Sequence, residues 1–97
     1  EFANSGCGAA VHGSLTSATF NDCVFHDNSG DGIVGGTRST IHLHGEATAI
    51  HSNRHHGITA YGSCKVLVHL PSHHNTTYNN EEGDRYTTQG STITNVE

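Results

Sequence analysis

Asn28-Ser-Gly-Asp-Gly32 sets the frame for the whole chain. The same cell appears as Asn4-Ser-Gly-Cys-Gly8, as Asn53-Arg-His-His-Gly57 and as Asn79-Asn-Glu-Glu-Gly83, with the leading asparagines 24, 25 and 26 residues apart. A fixed period of this length marks a stacked repeat, in which one unit cannot bury its apolar face alone and its neighbours complete a continuous core. Four cells fill the 97 residues, with boundaries at about 1–22, 23–46, 47–72 and 73–97. In the fourth cell the register is ambiguous between Asn79 and Asn80.

Stacking the cells aligns the apolar residues. Ala18, Ile41 and Val66 fall in one column, and Phe20, Leu43, Val68 and Ile93 in the next. Between and beside them run Thr19, His42, Leu67 and Thr92, then Asn21, His44, His69 and Thr94. Apolar columns alternating with mostly polar ones are the period-2 pattern of strands with one buried face. Because the pattern returns only after a full cell, each strand must find its partner one cell away. The expected fold is all-β: a right-handed, single-stranded parallel β-helix of about four coils of 23–26 residues, stacked at about 4.8 Å.

Composition agrees. Apolar residues are 32%, Gly numbers 12, Trp and Met are absent and Pro71 is the sole proline, a turn-and-strand inventory with few good helix formers. The net charge of −5 with only four Lys and Arg removes the electrostatic footprint of a nucleic-acid binder. No apolar run approaches the roughly 18 residues that cross a bilayer, so a soluble chain with no membrane partner is expected. Cys7, Cys23 and Cys64 fall at different places around the coil, which predicts free thiols and favours an intracellular reducing compartment. Glu1-Phe2 and the start in mid-cell suggest a single domain excised from a longer protein.

Asn4, Asn28, Asn53 and Asn79 are the expected structural ladder. A buried turn leaves backbone donors and acceptors that strands cannot satisfy, and an asparagine amide bonds both its own turn and the asparagine one coil on. With these residues in place, the repeats resemble the right-handed parallel β-helix of the pectin-lyase-like superfamily, in which an asparagine at one turn stacks in a ladder. More narrowly, Phe25-His-Asp-Asn-Ser-Gly-Asp-Gly-Ile33 and Leu70-Pro-Ser-His-His-Asn75 look like β-helix segments of algal and other protist proteins of unassigned function.

That superfamily resemblance implies an alternative, a carbohydrate-active or carbohydrate-binding β-helix of the polyuronate lyase, epimerase or hydrolase kind. Such chemistry needs paired carboxylates, or Ca²⁺-binding acids with a Lys or Arg base, for which Asp31, Glu82, Asp84 and Arg85 are the candidates. They form no recognisable motif, and four coils give a stack only about 20 Å long. No catalytic residue is assigned. The first expectation is a non-catalytic structural or recognition module. Ice binding through Thr92-Ile-Thr94 fails, because the equivalent positions in the other cells are not a threonine array.

Ten histidines are the least ordinary feature. His44 and His69 fall on adjacent coils of one outward column with His42 two residues away, so three imidazoles could hold Zn²⁺, Ni²⁺ or Cu²⁺. Cys7, Asp31, His56 and Glu82 form a second expected column, with His55 beside it, and His73-His74 a third group. His26 and His51 also stack, and with ordinary pKa values near ~6.5 these side chains would shift the chain's charge between about pH 7 and 5. Finally, a β-helix exposes edges and core at both ends. No cap is evident, so a homodimer through an end coil is expected, with Ile93, Val96, Val11 or Phe20 near the contact.

Overall fold

The computed structural model describes residues 1–72 and 76–97, so the His73-His74 pair lies outside the described residues. The first coil carries β1 (Phe2–Ala3), β2 (Ala9–Val11) and β3 (Ser17–Asn21), and the second β4 (Val24–His26), β5 (Ile33–Gly35) and β6 (Thr40–His44). The third carries β7 (Ala49–His51), β8 (His56–Ala60) and β9 (Lys65–His69), and the last β10 (Thr77–Tyr78), β11 (Gly83–Thr87) and β12 (Thr92–Val96). They form three parallel sheets, β1-β4-β7-β10, β2-β5-β8-β11 and β3-β6-β9-β12. The chain is therefore a parallel β-solenoid of about four coils. Among the described residues no helix is long and apolar enough to cross a membrane.

Register decides what stacks on what. Phe25 lies over Ile50, Ile33 over Ile58, and Ile41 and Leu43 over Val66 and Val68. All eight are fully buried, each contributing about 1.5–3 kcal/mol of apolar burial. The two middle coils therefore hold the core and the end coils cover it. Cys7, Cys23 and Cys64 are free, exposed, half-buried and buried in turn.

The ladder is real but shifted at both ends. The Asn28 side-chain amide donates to Asn53 Oδ1 at 2.8 Å, and that of Asn53 donates to Asn80 Oδ1 at 2.9 Å. Each also donates back across the coil, Asn28 to the Phe2 carbonyl and Asn53 to the Phe25 carbonyl. Each oxygen also accepts a backbone N–H: Asn28 N–H donates to Asn53 Oδ1 and Asn53 N–H to Asn80 Oδ1. Asn79 is exposed and sits one position earlier, in the left-handed region at φ 53°. Asn4 does the same at φ 60°, and it is Ser5 whose N–H donates to Asn28 Oδ1. Asn4, Asp27, Ser52 and Asn79 thus form a separate column of left-handed residues, a conformation that short polar side chains tolerate best.

Glycine is required beside the ladder. A Cβ on Gly57 would lie 2.7 Å from Asn80 Nδ2 and 2.7 Å from the Asp84 carbonyl oxygen, and one on Gly32 would meet Asn53 Nδ2 at 2.9 Å. In the last coil Asp84 takes the position equivalent to Gly57. Its Oδ1 accepts from the Asn80 amide at 3.2 Å and ends the ladder.

Two further expectations need correction. Ile93 lies over Val66 rather than Val68, which is paired with Asn95, and the neighbours of Leu67 and His69 are Thr94 and Val96. The cause is the step from coil three to coil four, 27 residues at the ladder against 25 between Asn28 and Asn53. The two added residues fall between His69 and Thr77.

The ends differ in chemistry. In the first coil, Phe2, Ala9, Val11, Ala18 and Phe20 all pack against the core, with Phe2 stacked on Phe25 at 4.7 Å and Phe20 edge-on to it at 5.1 Å. In the last coil the positions over Ile50, Ile58, Ala60 and Val68 are taken by Thr77, Arg85, Thr87 and Asn95. Among the described residues of this coil, Ile93 over Val66 keeps an apolar residue in line.

Replacing Asn80 with Ala removes the acceptor of two Asn53 donors in a buried corner and is expected to cost about 2–4 kcal/mol, whereas Asn79→Ala loses only tolerance of the left-handed backbone, about 1 kcal/mol. Urea midpoints followed by circular dichroism give the order; Asn79→Ala as the more damaging change would move the ladder back to residue 79.

Candidate functional site

The outer face of the third sheet brings three histidines together. His42 and His44 alternate outward on β6, and β9 lays His69 over His44, because parallel strands in register carry like-facing side chains about 4.8 Å apart. The His44 and His69 rings stack with centroids 4.1 Å apart and planes 9° from parallel. His42 Nδ1 lies 3.0 Å from His69 Nε2. One nitrogen from each of the three comes within 4.8 Å of the others, and all three side chains are half-buried. Burial and then the neighbouring His44 and His42 hold the His69 pKa below its ordinary value.

Glu82, by contrast, leaves the column it was expected to share. Gly83 lies over His56, and Glu82 Oε2 instead meets His55 Nδ1 at 2.8 Å. The longer last step is again the cause. Asp31 does lie in line with His56, but its Oδ1 accepts the His56 backbone N–H at 2.8 Å, and the imidazole Nδ1 is 3.7 Å away. Asp31 therefore serves the turn. Among the described residues no third group with a metal-ligating atom joins this pair, and Cys7 is exposed.

The remaining candidates for polysaccharide chemistry are dispersed as well. Asp84 ends the ladder, and Arg85 points along the inward column over Ile58. Burial pulls the Arg85 pKa down against the pull of Asp84. Each of the four candidate groups has a separate local partner or place in the fold.

On the first sheet, His26, His51 and Tyr78 form a column of nearly parallel rings, 5.2 and 4.9 Å apart. His26 is held between Asp27 Oδ2 at 2.6 Å and Glu1 Oε2 at 2.7 Å, and these bonds, Asp27 first, raise its pKa. The second sheet stacks His56 under Tyr86 at 4.7 Å, and His12 meets the Tyr61 hydroxyl at 3.0 Å. The tyrosines were not singled out from the sequence, since His51 and Tyr78 pair only if the last step is 27 residues.

At the ladder corner an open polar groove of about 480 Å³ crosses three coils. Asp27, Ser29, Ser52, Arg54, Asn79 and Glu81 line it above the fixed amides of Asn28 and Asn53. Arg54 Nε is 3.7 Å from Glu81 Oε2, an exposed pair worth little by itself.

No family model, curated protein or solved structure matches the chain. The parallel solenoid stands on its own strand pairing, and nothing outside the chain speaks for the pectin-lyase-like superfamily or for the protist resemblance.

Folding raises the His26 pKa, so its contribution to stability is whole below the unfolded value of 6.5 and fades as pH rises through the folded one. His69 is opposite in sign: folding lowers its pKa, and the folded chain loses stability as pH falls through 6.5. Ring proton and carbon shifts followed by NMR are expected to show His26 titrating at higher pH than His69; the reverse order would contradict both environments.

Proposed function

We propose that the chain is a non-catalytic recognition module, a short rigid stack that binds rather than transforms its ligand. One observation carries this reading. The acids and the base that could run polysaccharide chemistry are each engaged separately: Asp31 on the His56 amide, Glu82 on His55, Asp84 on Asn80, and Arg85 over Ile58. Elimination or displacement at a sugar needs two such groups converging across one bond.

The corner groove supports the ligand class. Its walls are hydroxyls, an amide, a guanidinium and carboxylates, set at the spacing of successive coils and backed by side chains already fixed in the ladder. Fixed, convergent polar groups suit a hydroxyl-rich ligand, since little ordering is needed when it binds. Within the groove Asp27 and Glu81 outnumber Arg54, and the chain carries −5 overall, so a neutral oligosaccharide fits better than a polyuronate.

The reading is tested by titrating a panel of neutral and acidic oligosaccharides while watching backbone amide shifts and product formation together. Expected are saturable shifts at Ser29, Ser52, Arg54 and Asn79 with a neutral glycan, weakened about tenfold by Arg54→Ala, and no product from any glycan. New reducing ends or unsaturated uronate products would overturn the non-catalytic assignment, and a groove unmoved by every glycan would overturn the ligand class.

A further inference from the structure

The histidine face of the third sheet lies apart from the groove and asks for a different ligand. Its chemistry is narrow: three imidazoles, with no carboxylate or thiolate joining them among the described residues. Hard cations such as Ca²⁺ and Mg²⁺ take oxygen ligands and would find none here. First-row transition ions take neutral imidazole nitrogen readily.

The geometry points to a site for a divalent transition ion, Zn²⁺, Cu²⁺ or Ni²⁺, held by His42, His44 and His69 across coils two and three. Four-coordinate zinc with Zn–N bonds of about 2.0–2.1 Å sets its ligand nitrogens about 3.3 Å apart. His42 Nδ1 and His69 Nε2 are already at 3.0 Å, and all three nitrogens lie within 4.8 Å of one another. A bound ion would take the place of the proton shared between His42 and His69, and the His44 ring, now stacked on His69, would have to turn to present its nitrogen.

Two features favour capture over an ordinary polar surface. The β6–β9 ladder fixes the separation of the three Cα atoms, so the ligands need not be gathered from a flexible loop. The chain's charge of −5 attracts cations from a distance. Three protein ligands would leave one position of a four-coordinate ion open. Water would complete the site.

A bound ion would also tie coil two to coil three. Anything that binds the folded chain alone raises its stability by mass action, so loading should appear in melting as well as in titration.

The test uses the whole chain. Zn²⁺ is titrated calorimetrically, and Cu²⁺ is followed by electron paramagnetic resonance and by the broadening of histidine ring signals in NMR. The expected result is one ion per chain at about 1 µM or tighter, with several nitrogen ligands on copper and His42, His44 and His69 broadened first. The variant H42N/H44N/H69N should lose this site and its zinc-dependent rise in melting temperature, while H26N/H51N and H73N/H74N keep both. The wild-type broadening pattern stands alone should the triple variant fail to fold. Unchanged binding in a folded triple variant, broadening centred on His73 and His74, or no binding below about 100 µM would overturn the site.

Discussion

A chain of buried amides holds this molecule in register. Asn28, Asn53 and Asn80 pass hydrogen bonds from coil to coil, and each returns one to a backbone carbonyl of the preceding coil. Buried polar groups are tolerated only when satisfied, because each orphaned donor or acceptor costs about 1–3 kcal/mol. A slip of one residue would break the ladder and turn every side chain of the sheets to the opposite face. The ladder and the apolar columns therefore enforce the same alignment, one by hydrogen bonding and the other by burial.

The surface follows from that alignment. Parallel strands repeat each outward position one coil away, so histidines and tyrosines at equivalent places become stacks of rings and not scattered polar groups. The acids are drawn into local tasks at the corners. What stays available is a polar groove over the ladder and a nitrogen-rich patch on the third sheet, two surfaces with different chemistry on one scaffold. The two outer coils differ: apolar residues line the first, and mostly polar ones lie over the core columns in the last.

Much of this was legible in the residues, and the misreadings have one origin. Asn28 and Asn53, the buried columns of the two middle coils, and the meeting of His42, His44 and His69 all follow from a constant 25-residue step, which holds there. The first step is 23 residues at the ladder and the last is 27. Asparagine serves two purposes at this corner, as a ladder amide and as a residue that tolerates left-handed backbone. Asn4 and Asn79, each followed four residues later by glycine, imitate the ladder while filling the second role. The displacement of Ile93 and Glu82 is the same two-residue addition between His69 and Thr77, visible only once the strands are paired.

Hydrogen exchange of the side-chain amides is the most direct test of the ladder. The Nδ2 protons of Asn28 and Asn53 should exchange slowly and show nuclear Overhauser contacts to the asparagine one coil on, while those of exposed Asn4 and Asn79 exchange at the rate of a free amide. Rapid exchange at Asn28 and Asn53, with no contact between them, would contradict the stacked corner and the alignment of every column built on it.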